Sequence, residues 1–291
     1  MLAIIGASWG LSYITMKVVL NEMTPFWMAS FRFLIAFLCV ALIFVKRLKD
    51  TDIDIIKGAM VIGFFDASIF FTLLQGLKNT TATNAGFLCS TSVVIVPILH
   101  AILSRKMPER RVIVCCLIAI VGIGLMSIKD SFTLSVDDMW CLACAFSYAA
   151  LVLSTNHYSK KVDSLLVGIW QLFFTFLYVL VVAIIFEPFN MPSSGLCFAN
   201  LMVMALICTS FCFVMQTVAQ KYTTPEHASL MFCLEPISSA ILGFLFFGEM
   251  VGIKGYLGAA CILFAVVISC LNSSDKYPKK SATLSSSCKN S

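Results

Sequence analysis

Long apolar stretches alternate with short polar breaks along the whole chain. A helix needs about 20 mostly apolar residues to cross the hydrocarbon core of a bilayer. Apolar positions run continuously through segments such as 34–45 and 112–126, instead of alternating as they do in the strands of a membrane β-barrel. The pattern predicts one compact bundle of ten transmembrane helices, at residues 2–20, 24–45, 57–77, 84–103, 110–128, 139–156, 165–186, 198–219, 228–247 and 254–271.

Composition agrees with an all-α integral membrane protein. Of the 291 residues, 60% are hydrophobic and 12% are charged, and the mean hydropathy is +0.96. A soluble domain is typically about 45–50% apolar and about 25% charged. These values exclude a water-facing surface and intrinsic disorder, and a net charge of only +5 argues against a nucleic-acid partner. The lipid bilayer is the expected partner of the outer surface.

The distribution of Lys and Arg predicts the orientation in the membrane, because cytoplasmic loops retain positive charge. Fifteen of the 20 basic residues fall on one side of the predicted spans and four on the other, while Arg32 lies within a span. Both termini are therefore expected in the cytoplasm. Residues 272–291 are rich in Ser and Lys, and we interpret them as a disordered cytoplasmic tail.

The sequence contains an internal repeat. At an offset of 143, residues 78–85 align with 221–228, and nearer the start an offset of 139 places Trp9 on Tyr148 and Arg32 on Gln171. We divide the chain into repeats 1–130 and 137–271, each with five spans. Because five is odd, the second repeat must enter the membrane from the opposite face. We therefore predict two inverted repeats around a central cavity. A duplicated scaffold without a transport role is the alternative interpretation.

Several short motifs resemble those of a known family. They are Trp9-Gly10, Pro25 with Arg32, Gly76-Leu77 followed by 80–85, residues 219–230 running into Glu235-Pro236, Gly248-Glu249, and Gly255-Tyr256-Leu257-Gly258. Over nearly all of residues 1–271 the chain resembles the EamA domain of the drug/metabolite transporter superfamily. One departure is Lys106, which occupies the position that corresponds to Glu249 in the second repeat.

This resemblance implies a ten-helix carrier of the plasma membrane, which is the inner membrane in bacteria. It implies a secondary active transporter, an exporter of amino acids or other small metabolites that works by alternating access. The partner would be a small-molecule metabolite, with protons as the candidate coupling ion. Whether the protein is a monomer or a homodimer stays open.

Ionisable side chains inside the predicted spans are the strongest functional candidates, since each costs about 2.5–3.5 kcal/mol or more unless it faces water or a partner. Arg32 could bind a substrate carboxylate, or it could reach the interface or tie helix ends together. Asp66, close to mid-depth, could couple protons to transport, hold a substrate ammonium group, or pair with Arg32.

Two further ionisable residues carry weaker signals. Glu235 precedes Pro236, which removes a backbone donor and predicts a bend in the ninth span. The carboxylate could then serve a gate or binding position, or hold the bend in shape. His100 is a lone histidine in the fourth span, and packing is favoured over a proton relay.

Uncharged polar and aromatic residues complete the candidate binding or coupling site. They are Trp9, Tyr13, Tyr148, Gln171, Asn84 and Gln216. Because Trp9 and Tyr148 are related by the repeat, they could wall the site from both sides.

Motifs for other chemistry are weak. The spacing Cys141-x-x-Cys144 suits a metal or redox site, but no second Cys or His pair lies nearby in sequence, so we predict no metal and no cofactor. The sequence contains no His-Glu-x-x-His, and the Gly-x-Ser-x-Gly spacing at residues 6–10 falls inside the first predicted span, where we assign its two glycines to helix packing. We therefore predict no catalytic residues, and an intramembrane enzyme or a membrane scaffold or sensor subunit remains as the alternative function.

Overall fold

The computed structural model describes residues 1–76, 88–127, 136–248 and 252–273, and these residues form helices and loops without any β-strand. A short 3-10 helix spans Arg47–Asp50, and a π-helical segment spans Met204–Phe211. The α-helices are α1 (Leu2–Val19), α2 (Pro25–Ile43), α3 (Ile53–Gly76), α4 (Ser92–Ser104), α5 (Arg110–Ser127), α6 (Val136–Lys161), α7 (Ser164–Phe186), α8 (Gly195–Val203), α9 (Cys212–Gln220), α10 (Pro225–Phe232), α11 (Leu234–Phe247) and α12 (Ile253–Ser273).

Seven helical stretches within the described ranges are long and apolar enough to cross a membrane. They are Leu2–Val19, Pro25–Ile43, Ile53–Gly76, Met139–Lys161, Ser164–Phe186, Gly195–Gln220 and Pro225–Phe246. Two shorter apolar helices cover Leu88–Ser104 and Ile253–Ile268. The chain is thus a multi-pass helical membrane protein, in agreement with the class expected from its sequence.

Local sequence explains where several helices begin and end. Pro25 and Pro225 occupy first-turn positions, where the missing N–H has no intrahelical acceptor to lose. The side chain of Asp163 accepts hydrogen bonds from two backbone N–H groups at the start of α7. Gly248, with a φ of 66°, closes α11 in the left-handed conformation that glycine adopts without strain.

Where the sequence predicts a bend ahead of Pro236, the helix is interrupted at Cys233, between α10 and α11. Pro236 has no N–H to donate to the carbonyl four residues earlier, so the helix loses its regular bonding there. A similar interruption occurs at Thr91, ahead of Pro97 in α4.

The span predicted at 198–219 is confirmed by the helical stretch Gly195–Gln220, and its segment Met204–Phe211 is π-helical. The Thr209 hydroxyl donates to the Met204 carbonyl, and the Ser210 hydroxyl donates to the Ala205 carbonyl. Each acceptor lies five residues earlier, at 2.9 Å. Ser210 Oγ also lies 3.2 Å from the carbonyl oxygen of Ala36 on α2. Such hydroxyl contacts add donors to backbone carbonyls inside the π-helical segment.

Helices from the first half of the chain, α1 to α5, pack against helices from the second half, α6 to α12. The main contacts join α3 with α6 and α7, α2 with α7, α1 with α11, and α5 with α12. The two halves therefore form one helical bundle.

Two carboxylates close one end of this bundle, which we call the acidic end. Glu187 Oε2 accepts from the backbone N–H groups of Phe26 at 3.0 Å and Trp27 at 3.2 Å, at the start of α2. Glu22 accepts from the backbone N–H of Ser194 at 3.0 Å, at the start of α8. Anionic groups are stabilised at helix N-termini, so these bonds tie the α1–α2 connection to the α7–α8 connection.

The acidic end should lose stability in acid. Hydrogen bonds from the hydroxyls of Ser194 and Ser193 hold the pKa of Glu22 below its ordinary value of 4.5. A lowered native pKa stabilises the fold above the unfolded-state pKa, and this stabilisation is lost as the pH falls through the native pKa. In detergent, the unfolding temperature of wild type should therefore exceed that of Glu22→Gln at neutral pH. This difference in unfolding temperature should disappear between about pH 5 and pH 3. A gap that does not change with pH would contradict the assignment.

Close packing of α1 on α11 depends on Gly10. A Cβ atom at this position would lie 2.1 Å from Ser238 Oγ and 2.6 Å from the backbone nitrogen of Ser239. Gly10→Ala should lower the unfolding temperature in detergent, at a cost of about 1–3 kcal/mol for overpacking. Gly195→Ala is the matched control, because nothing lies within 4 Å of its Cβ position. Equal unfolding temperatures for Gly10→Ala and wild type would refute this packing.

Candidate functional site

Arg32 lies near the middle of α2, with only 4% of its surface exposed. Its Nε–H donates a hydrogen bond to the hydroxyl of Thr209 in the π-helical segment. The guanidinium carbon also lies 5.9 Å from the centre of the Phe70 ring and 5.8 Å from that of Phe33, within range of a cation–π interaction. The side chain is thus held by a helix of its own repeat and by a segment of the other repeat.

Asp66 lies near the middle of α3 and is 2% exposed. Thr175 on α7 donates a hydrogen bond of 3.0 Å to Asp66 Oδ2. The carboxylate attracts the Arg32 guanidinium electrostatically, and the Gln171 side chain lies beside it. We call Arg32, Asp66, Thr175 and Thr209 the charged cluster, which combines one cation, one anion and two hydroxyls from both repeats.

A row of amides continues from the charged cluster along α7 and α9. Thr217 Oγ1 donates to Gln171 Oε1 at 3.4 Å, which joins α9 to α7. Gln216 lies next to Thr217 in sequence, and Gln220 lies one turn further along α9. All four side chains are buried.

Aromatic rings connect the two repeats beside these polar groups. Trp9 packs against Phe213 and Phe232, with ring centres 5.5 Å and 5.0 Å apart. Tyr148 contacts Phe232 edge-on at 6.3 Å, and Phe213 contacts Phe33 at 5.6 Å. The predicted aromatic pair, Trp9 and Tyr148, is therefore linked through Phe232, which both rings contact.

The remaining predicted residues lie in different places. Glu235 is partly exposed at the start of α11, where its charge lies near the thiol of Cys233. Asn84 lies outside the described residues. Tyr13 belongs to α1, but its side chain is likewise outside the described part of the chain.

His100 has a more specific contact than the packing role that its sequence context favoured. Its Nδ1 contacts Glu226 Oε1, and this pair joins α4 to α10. Glu226 is buried, and its partner lies 126 residues away in sequence, so a search for local motifs could not pair them.

Sequence reasoning missed Thr175, Thr217 and Gln220, although helical spacing contains a usable signal. Thr175 follows Gln171 by four residues, and Gln220 follows Gln216 by four. Residues four apart share one face of a helix, so a polar residue at that spacing from a candidate is itself a candidate.

Two other features complete the description. Within the residues that the structure describes, no three His, Cys, Asp or Glu side chains are grouped as metal ligands. At the acidic end, a cavity of about 430 Å³ is lined by apolar side chains together with Gln75 and Glu187.

The helical fold with paired charges in its interior defines a multi-pass membrane protein. The model of the EamA-like transporter family matches residues 1–128 and 137–271. The chain belongs to the EamA-like transporter family, as the resemblance of its motifs predicted.

Individual relatives agree with this membership. An uncharacterized transporter of Archaeoglobus fulgidus is 29% identical over 267 residues, covering 92% of this chain and 83% of the relative. The uncharacterized transporter YetK of Bacillus subtilis is 23% identical over 295 residues, covering 95% and 87%. A solved crystal structure, 14% identical, superposes with a TM-score of 0.76 over 94% of this chain and 98% of its own, which shows the shared fold.

Proposed function

We propose that this transporter is a secondary active exporter of small zwitterionic metabolites, amino acids foremost, and that it works by alternating access. The observation that carries the proposal is the charged cluster. It buries Arg32 and Asp66 together between the repeats, near the middle of their helices. Membership in a transporter family favours transport over intramembrane catalysis or scaffolding.

The two opposite charges of the charged cluster are the reason for proposing a zwitterionic substrate. A buried charge is retained at high cost, and in membrane proteins such residues mark substrate or ion pathways. Arg32 offers a planar donor set that matches a carboxylate, and Asp66 offers an acceptor for an ammonium group. A zwitterion therefore replaces the attraction between the two side chains with two matching contacts of its own.

The proposed architecture has ten spans in two inverted repeats, 1–130 and 137–271, around this cluster. Its support comes from equivalent features in the two halves. At the offset of 143, the interruption at Thr91 in the first repeat lies within one residue of that at Cys233 in the second. Asp66 corresponds to Thr209, and both are partners of Arg32. Such symmetry allows a central site to open to either face in turn.

The proposed location is the plasma membrane, which is the inner membrane in bacteria, with both termini in the cytoplasm. This orientation follows the basic residues of the loops and places the acidic end outside. The proposed coupling ion is the proton, with Asp66 as the carboxylate that exchanges it, because a buried carboxylate can alternate between charged and neutral states as access changes.

Transport in proteoliposomes tests this function. The purified protein should exchange a radiolabelled neutral amino acid in counterflow and drive it uphill in a proton gradient. Asp66→Asn should abolish uphill transport, because the variant cannot release a proton. Exchange should persist at a raised substrate concentration, because the amide oxygen still accepts from the ammonium group but carries no charge. Asp54→Asn is the matched control, since Asp54 is exposed at the start of the same helix. Uphill transport by Asp66→Asn at the wild-type rate would refute the coupling role. If the wild-type protein showed no saturable exchange with any amino acid, the proposed function would be refuted.

A further inference from the structure

Three buried primary amides lie on two neighbouring helices, Gln171 on α7 and Gln216 and Gln220 on α9. At most 1% of each side chain is exposed. Both amide atoms of Gln216 and of Gln220 have no hydrogen-bond partner within the part of the chain that the structure describes, whereas Gln171 lies beside the Asp66 carboxylate and accepts from Thr217. We call these three side chains the amide cluster.

The amide cluster is held in place by close packing of its two helices. A Cβ atom on Gly168 of α7 would lie 3.2 Å from Thr217 Oγ1 and 3.2 Å from the Cα of Val214, so the backbones approach closely. Gln216 and Gln220 share one face of α9, because they are four residues apart. The Asn156 side chain of α6 donates to the backbone carbonyl of Gln220 at 2.7 Å, which fixes this end of α9.

Structural requirements alone do not account for the amides of Gln216 and Gln220. Burying an amide without a hydrogen-bond partner is unfavourable, whereas leucine or methionine would fill a similar volume at no such cost. Residues that lower stability in this way are typical of functional sites, where a ligand supplies the missing partners. Each amide offers both donors and acceptors and carries no charge.

The position of the amide cluster relative to the charged cluster indicates which part of a ligand it contacts. Gln171 lies beside the Asp66 carboxylate and is joined through Thr217 to α9. A zwitterionic head group at Arg32 and Asp66 would thus extend its side chain towards Gln216 and Gln220.

We propose that the amide cluster is a specificity site that hydrogen-bonds an uncharged polar side chain of the substrate, and that a carboxamide fits it best. A carboxamide presents one acceptor and two donors, which complement the two donors and one acceptor group of a glutamine amide. This inference rests on the proposed function, and it narrows the substrates from amino acids in general to those with a carboxamide side chain.

Competition in counterflow tests this specificity. The two probes are L-glutamine and L-homoleucine, in which two methyl groups replace the oxygen and nitrogen of the carboxamide. L-glutamine should inhibit exchange of a labelled neutral amino acid at a concentration at least about tenfold lower than L-homoleucine, since one or two net hydrogen bonds are at stake. In the double variant Gln216→Leu, Gln220→Leu, the preference should fall below about threefold, chiefly through weaker binding of L-glutamine.

Matched controls separate specificity from folding. Gln75→Leu, a partly exposed glutamine at the acidic end, should leave the preference unchanged. The double leucine variant should unfold at the wild-type temperature or above, because it removes unpartnered buried amides.

Three outcomes would overturn the inference. Equal competition by both probes in wild type, or an unchanged preference in the double variant, would refute the specificity site while leaving the proposed function intact. An absence of exchange with any amino acid would refute the proposed function and this inference with it.

Discussion

The interior of this protein depends on one constraint, which is that a charge within the hydrocarbon must have partners supplied by the protein. Arg32 is the clearest example. Its guanidinium contacts the Thr209 hydroxyl and approaches the Phe70 ring, while Asp66 supplies the opposing charge. Phe70 and Asp66 lie on α3 and Thr209 lies in the π-helical segment, so holding one side chain fixes the relative positions of α2, α3 and that segment.

The irregular segments of the backbone follow from the same constraint. The π-helical segment Met204–Phe211 carries Thr209, and the hydroxyls of Thr209 and Ser210 in turn satisfy carbonyls of that segment. At the acidic end, Glu22 and Glu187 satisfy the first N–H groups of α8 and α2. Polar groups that would be costly in lipid thereby form contacts between the two halves of the chain, and these contacts hold the bundle together.

Much of the site could be predicted from sequence, because charged residues are rare inside apolar helices. Arg32 and Asp66 stood out on that basis, and the repeat added Gln171, which lies beside Asp66. The motifs of the EamA domain identified the family correctly. The bend ahead of Pro236 was also predictable, since a proline removes a backbone donor wherever it occurs.

Other features left no local signal in the sequence. A π-helical segment differs from an α-helix by a shift of one residue in its hydrogen bonds, which the apolar composition of 204–211 does not encode. Thr217 does not lie four residues from any predicted site residue, and its importance arises from its contact with Gln171 on another helix. The pairing of His100 with Glu226 joins positions 126 residues apart, so it required the fold.

Accessibility of position 209 is the most direct test of the claim that the charged cluster is the transport site. In a variant with its 13 native cysteines replaced, Thr209→Cys would place a thiol beside Arg32. We predict that a membrane-impermeant maleimide labels this thiol in proteoliposomes, that the reactive side changes when the proton gradient is reversed, and that a transported amino acid protects it. A thiol that stays unlabelled from both sides under every gradient would show a permanently packed interior and would contradict the account.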